Sequence, residues 1–422
     1  MSEPRERPRV LVLGGGFGGI GATKKLKHAP VDVVVVDKHN YHTFQPLLYQ
    51  LATGLLETTA VGHSLRDLVK NQDNAVIHNA PVESIDLDAR EVRFDGLEPL
   101  TYDYLVLGLG AEVNFFGTAG AAEHAFPMYT LPDAVRLKEH VLGRWEAADR
   151  DPSLVDDGAL NVVVVGGGPT GVETAGALAE LFRAAFSKDY KSLPQESARI
   201  TLVEAGPEIF AMFKQDIRDY TRKALDERTV EVMTGDPVAS VSPTRVTLKS
   251  GTELKAHTLV WGAGLQGNRL VQSLGLELQR GNRIGVGPDL TVPDRPEVYA
   301  VGDIAAITDA KTNQVLPQLG SVALQSGEHA GETIARRVAG KKTEPFKYHD
   351  KGTMATIGRG AAVVQMLGGR TMKGKAAQVA WGAVHLALLP TNEDRAKAVV
   401  DWSGAALTHQ RAGRITVSTG DE

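Results

Sequence analysis

Two segments about 150 residues apart carry one pattern: a short aliphatic run, a glycine loop spaced G-x-G-x-x-G, a helix-like stretch, and a second aliphatic run ending on an acid. The first reads RVLVLGGGFGGIGATKKL from Arg9, with Gly14, Gly16 and Gly19 in the loop, and its second run ends at Asp37. The other reads NVVVVGGGPTGVETAGALAEL from Asn161, with Gly166, Gly168 and Gly171, and its acid is Glu204. Directly after a strand, this spacing has a mechanical meaning. The first glycine permits the tight turn, the second lets backbone approach a pyrophosphate, and the third allows helix and strand to touch. Phosphates then rest on the N–H groups of the helix N-terminus, and the acid accepts hydrogen bonds from ribose hydroxyls.

Further aliphatic runs at Leu105–Leu107, Leu259–Trp261 and Val298–Val301 also end in glycine or an acid. They are continuous and not alternating, as expected of strands buried on both faces of a parallel sheet. Helix-like stretches at 131–145 and 216–227 alternate with them. The expected class is α/β, with two Rossmann-like dinucleotide-binding domains. A length of 422 residues allows this, at roughly 100–200 residues per domain.

The chain has no cysteine. That excludes a thiol nucleophile, a redox-active disulfide, an iron–sulfur cluster and a thiolate zinc site, so redox chemistry here needs a bound cofactor. Its 46 basic and 51 acidic residues are interspersed, unlike a nucleic-acid footprint. His39 and His42 have no acids at metal spacing and read as bonding backbone or water; no metal site is expected. The charged start MSEPRERPRV lacks the uncharged stretch of a secretory signal, so a cytoplasmic protein is expected. No apolar run reaches the ~18–20 residues of a membrane span. The 14 residues Ala376–Leu389, which hold no Asp, Glu, Lys or Arg, suit an interfacial or buried helix.

Two dinucleotide sites in one chain suggest a resident flavin and a nicotinamide cofactor that leaves after each turnover, with hydride passing between stacked rings. Glu204 would repel a 2′-phosphate, and the next residues, Ala205 and Gly206, are not basic, so NADH is expected over NADPH. Asp303 closes a strand ahead of helix-forming residues. It is a candidate for the flavin's ribityl or pyrophosphate region, or for a plain helix N-cap.

The paired loops, the Gly108-Leu109-Gly110-Ala111 turn and the VYAVGD ending at Asp303 resemble the two-dinucleotide-domain flavoprotein reductases. More narrowly, YHTFQPLLYQLATG from Tyr41, AEVNFFG from Ala111, GGGPTGVE from Gly166 and DKGTMATIGRGAAV from Asp350 resemble the type II NADH dehydrogenases. Those are single-subunit, non-proton-pumping NADH:quinone oxidoreductases. The resemblance implies one non-covalent FAD in a discontinuous domain, 1–112 and 288–345. It implies an NADH domain at 113–287 and a C-terminal region, 346–422, for membrane docking or dimerisation. It also implies a homodimer, peripheral on the inner face of the cell membrane, with menaquinone or ubiquinone as acceptor. Phe17, Gly18, Lys38, Ala111 and Asp303 would join the first loop and Asp37 around FAD. Thr170, Glu173 and Gly264 would join the second loop and Glu204 around NADH. Glu173 matches the family's catalytic glutamate; its plain reading is a first-turn acid stabilised by the helix dipole. The stretch 41–54 suits an apolar channel wall, with core packing the simpler reading of Leu47, Leu48 and Leu51. Disulfide reductases and sulfide:quinone reductases share the fold but need cysteine pairs, which this chain lacks.

Two departures stand out. Family members carry Ala-Gln-x-x-x-Gln near the quinone ring; here Ser321 and Gln325 occupy the two glutamine positions. Serine reaches less far, so quinone contact there is weaker or the acceptor differs, and Gln325 also reads as a surface glutamine. AWGAVHLALLP from Ala380 resembles the membrane-contact helix, with Trp381 and His385 as interfacial residues. The following TNEDRAKAVVDW is acidic where a basic loop is expected, and 371–422 holds six Lys/Arg against five Asp/Glu. Such a balance attracts anionic lipid weakly, which leaves loose membrane binding or a dimer interface. Two rival functions stay open: an NADH-dependent flavoprotein with a soluble or non-quinone acceptor, and a non-turnover NADH-binding redox sensor.

Overall fold

The computed structural model describes residues 6–408 and 413–415. The chain divides into two compact units, each drawn from three segments. The first takes the described residues up to Thr43, Gly62–Glu112 and Leu265–Asp350; the second takes Phe44–Val61, Val113–Gly264 and the described residues from Lys351 onward.

The first unit is built on a six-stranded sheet in the order Thr291–Val292, Arg295–Ala300, Tyr104–Leu107, Arg9–Leu13, Asp32–Asp37, Ala75–Asn79. Neighbours run parallel except the first pair, which is antiparallel. Val10 through Leu13 are fully buried, as a central strand covered on both faces must be. The helix Phe17–Lys25 crosses the helix Gly320–Val338 at very short range. A Cβ on Gly327 would stand 1.9 Å from the Gly18 carbonyl oxygen, and one on Gly331 would stand 2.4 Å from that of Ala22.

In the second unit five parallel strands run in the order Phe126–Pro127, Thr258–Trp261, Val162–Val165, Ile200–Glu204, Val230–Thr234. The internal repeat extends further than the glycine loops. Just before the strand Tyr104–Leu107 in the first unit and Thr258–Trp261 in the second, each unit inserts a three-stranded antiparallel meander: Val82–Asp86, Glu91–Phe94 and Leu97–Thr101 in the first, Val238–Ser242, Arg245–Leu248 and Glu253–Lys255 in the second. These strands, three to five residues long and partly exposed, carry too little hydrophobic contrast to be separated from loops by pattern alone.

The helix Pro169–Leu181 meets the strand Thr353–Gly358 where a Cβ on Gly176 would lie 2.0 Å from the Ile357 carbonyl oxygen. Ala361–Gln365 and Thr371–Lys373 complete an antiparallel sheet, followed by the helices Lys375–Leu388 and Asn392–Thr408. The unit boundaries therefore differ from the sequence expectation. Residues 265–287 join the first unit because Arg283–Gly285 pairs with Ala305–Ala306. The C-terminal region joins the second because its sheet lies on the Pro169–Leu181 helix, and the acidic segment after Thr391 forms a helix. No helix among the described residues is long and apolar enough to cross a membrane.

Candidate active site

The two glycine loops are geometric copies. Gly14 and Gly166 adopt φ of 105° and 110°, a conformation reserved for glycine. A Cβ on Gly19 or on Gly171 would fall 1.8 Å from the carbonyl oxygen of Gly14 or Gly166. Gly16 and Gly168 differ: both are extended, with φ of −72° and −80°, and an added Cβ would meet nothing within 4 Å. Each loop thus leaves open space in front of a helix N-terminus, which fits the pyrophosphate of a dinucleotide. Both acids already point at their loops. Asp37 accepts from the N–H of Gly15 at 2.6 Å and of His39 at 2.7 Å. Glu204 accepts from Gly167 and Gly206, each at 2.6 Å. Every carboxylate oxygen keeps a lone pair for a ribose hydroxyl.

Around the first loop, Phe17 begins the helix and packs edge-on to His42 at 4.9 Å, Gly18 lies under Gly327, Lys38 is exposed and Ala111 is buried. His42 sets its Nδ1 2.9 Å from the Gly15 carbonyl, and burial pushes its pKa down to about 4, so it is a neutral ring bonded to backbone, as read from the sequence. Around the second loop Thr170 is exposed, and Gly264, with φ of 69°, has no room for a Cβ against the Phe116 ring. Asp303 is neither a helix N-cap nor at a long helix start. It sits within the single 3-10 turn Gly302–Ile304, its carbonyl accepting from Gln318 Nε2 at 3.0 Å, and the long helix begins only at Gly320. Ser321 shares a hydrogen bond with the Tyr348 hydroxyl at 2.9 Å. Both ends of the Gln325 amide engage the His349 backbone, at 3.1 and 2.9 Å.

The second unit holds a cavity of about 660 Å³ whose wall includes Tyr49, Gln50, Glu173, Thr356, Trp381 and Trp402. Glu173 is the fifth residue of its helix, which has no acid in its first turn, so the dipole does not account for it. Surrounding protein atoms instead raise its pKa to about 8, against the pull of the Thr356 N–H that donates to Oε1 at 3.0 Å. At neutral pH the carboxyl therefore holds a proton, carried on Oε2. A polar chain continues along the wall: Trp402 Nε1 donates to Gln50 Oε1 at 2.7 Å, Gln50 Nε2 donates to the Tyr49 hydroxyl at 2.9 Å, and Tyr49 shares a proton with the Thr356 hydroxyl at 2.9 Å.

Leu47, Leu48 and Leu51 are core residues, while their neighbours Tyr49 and Gln50 face the cavity. Trp381 and His385 are not interfacial. They are buried, stacked at 4.1 Å, and burial lowers His385 to about 4. The exposed face of that helix belongs instead to Ala376, Val379, Ala383, Val384, Ala387 and Leu388. Sequence reasoning missed Thr356 and Trp402 as wall residues. Thr356 lies in the distinctive KGTMATIGR segment, whereas nothing local to Trp402 marks it.

Residues 8–327 match the pyridine nucleotide-disulphide oxidoreductase family. Over 433 aligned residues the chain is 33% identical to the type II NADH:quinone oxidoreductase Ndh of Mycobacterium tuberculosis, spanning 99% of this chain and 92% of that protein. The chain belongs to the type II NADH:quinone oxidoreductase family. A type II NADH:quinone oxidoreductase from Staphylococcus haemolyticus is 30% identical over 385 residues, 88% of this chain and 93% of its own. The fold of NDH2 from Plasmodium falciparum, solved in complex with NADH, superposes with a TM-score of 0.89 at 20% identity, covering 98% of this chain and all of that one. The broader family is named for a disulphide, but this type II member has no cysteine to supply one.

Proposed function

We propose that the protein catalyses FAD-dependent oxidation of NADH with delivery of two electrons to a quinone, menaquinone or ubiquinone, uncoupled from proton pumping. In this reading the first loop, with Phe17, Gly18, Asp37, Lys38, Ala111 and Asp303, holds non-covalent FAD. Gly166, Gly168, Thr170, Gly171, Glu204 and Gly264 hold NADH, and the Glu204 carboxylate disfavours the extra phosphate of NADPH. Bound flavin would supply the two-electron redox chemistry that no side chain of this chain provides. The protein's own part is to seat both pyrophosphates on helix N-termini, to orient the reactants and to place a proton donor beside the acceptor.

The observation that carries the proposal is the buried Glu173 carboxyl, in the wall of a largely apolar cavity, whose pKa burial raises to about 8 so that it favours the protonated form at neutral pH. A quinone head group is a flat apolar ring whose carbonyl oxygens take up protons on reduction, and Glu173 Oε2 holds one there. The buried indole N–H of Trp381, also in the wall, has no acceptor among the described residues. The apolar stripe from Ala376 to Leu388 supports peripheral docking on the membrane in which quinones dissolve, with a homodimer contact as the competing use of that face. The test is an anaerobic titration of flavin absorbance, bleached by NADH and restored by quinone. Flavin that stays oxidised under NADH, or stays reduced under quinone, defeats the proposal. A soluble acceptor is the second reading, favoured by Ser321 and Gln325 being engaged by Tyr348 and His349. Turnover indifferent to liposomes would support it.

A further inference from the structure

The direction of the hydrogen-bond chain in the cavity wall follows from donor chemistry alone. An indole N–H only donates, so the Gln50 atom facing Trp402 must be the amide oxygen. That places the amide nitrogen toward Tyr49, where it too can only donate, so the Tyr49 oxygen must accept. Tyr49 and Thr356 then hold two hydroxyl protons between them and spend one on their mutual bond. One O–H is left over. The chain spans 352 positions between Gln50 and Trp402, and all four residues line the cavity.

We infer that Gln50 and Trp402 are positioning residues that fix this polarity, so that the Tyr49–Thr356 pair always presents one O–H to a carbonyl oxygen of a quinone in the cavity. The inference rests on the quinone reading above. Apolar neighbours, Leu55, Ala177 and Val379, suit the faces of the ring. Burial holds the Tyr49 hydroxyl well above its ordinary pKa, so it remains a donor throughout the working pH range. Glu173, bonded to the backbone of the same Thr356, stands beside the pair as a second donor. A substrate with two hydrogen-bond acceptors and no donor is what such a wall selects.

The decisive variant is Gln50→Glu. When ionised, the introduced carboxylate accepts from Trp402 and also captures the Tyr49 proton; Thr356 must then donate to Tyr49, and no O–H remains for the substrate. When protonated, the same carboxyl restores the native direction. The expected result is a variant-to-wild-type ratio of kcat/KM for a short-chain quinone near one at acidic pH, falling about tenfold as pH rises, the cost of one lost hydrogen bond. Quinone affinity of the oxidised holoenzyme, read by tryptophan fluorescence quenching, should weaken in parallel, while NADH still reduces the flavin at the wild-type rate. Trp402→Phe, which keeps an aromatic ring and removes the N–H, should weaken quinone binding less and without pH dependence. A ratio flat across pH, or unchanged quinone affinity in Trp402→Phe, overturns the inference. Wild-type protein whose flavin is reduced by NADH but not reoxidised by quinone would instead overturn the function on which it rests.

Discussion

At the level of single residues, Glu173 and the two open glycines make the sharpest claims. The folded carboxyl of Glu173 has its pKa raised from 4.5 to about 8. Below about 4.5 both folded and unfolded carboxyls are protonated and burial carries no ionisation cost. Between about 4.5 and 8 the unfolded chain ionises while the folded one keeps its proton, so stability falls through that window and levels off above it. Glu173→Gln should remove this fall, and its melting temperature relative to wild type, followed by calorimetry on the holoprotein, should climb over the same window. A pH-independent difference would contradict the buried proton. Quinone reduction should decline above about pH 8 in the wild type, and on the order of 100-fold in Glu173→Gln at neutral pH if the proton is delivered from this side chain. Gly16 and Gly168 are extended with empty space around a would-be Cβ, so alanine at either should leave folding intact. Only a bound pyrophosphate would feel the methyl: Gly16→Ala should lower flavin content, and Gly168→Ala should raise KM for NADH about tenfold or more. Melting curves equal to wild type but full flavin content would remove the first loop from the FAD site.

Among the elements, the helix Lys375–Leu388 is the one whose two faces do different work. Trp381 and His385 bury one side, while Val379 at 73% and Leu388 at 48% exposure leave the other apolar and uncovered. Burying an apolar side chain in the membrane interface contributes roughly 1.5–3 kcal/mol. Val384→Lys with Leu388→Lys, neither of which lines the cavity, should therefore abolish co-sedimentation with liposomes while preserving turnover of a water-soluble quinone. Unchanged co-sedimentation paired with loss of the dimer in light scattering would assign the face to a second copy. Its 14-residue run without Asp, Glu, Lys or Arg, Ala376–Leu389, already marked this stretch as an interfacial or buried helix. Which side chains point inward was not legible, because aromatic amphipathic residues such as Trp and His serve equally well at a membrane interface or in a core, and their neighbours Phe44 and Trp402 come from distant parts of the chain.

The whole molecule is a duplicated fold interleaved in sequence. The first unit is complete only when Arg295–Ala300 pairs with Tyr104–Leu107 and Gly320–Val338 covers Phe17–Lys25. A chain ending at residue 264 lacks both, so it should purify without flavin absorbance and without cooperative melting of the first unit. A yellow, cooperatively melting truncate would show that the first loop binds FAD unaided. Such pairings, nearly 200 residues apart for Tyr104–Leu107 and Arg295–Ala300, also delay formation of that sheet until most of the chain is available.

What the sequence determined by itself is whatever local sterics dictate. The turn at Gly14 and Gly166, the close approach at Gly19 and Gly171, and the continuous valine runs of buried parallel strands are properties of a few adjacent residues. Absence of cysteine likewise removed the thiol chemistries without any coordinates. Only the tertiary structure decided that Glu173 keeps its proton, that Trp381 and His385 face inward, and that Gln50 meets Trp402. Each of these depends on burial and on hydrogen-bond partners supplied by segments far apart in the chain, and no periodicity in one segment encodes the dielectric or the donor that another segment brings to it.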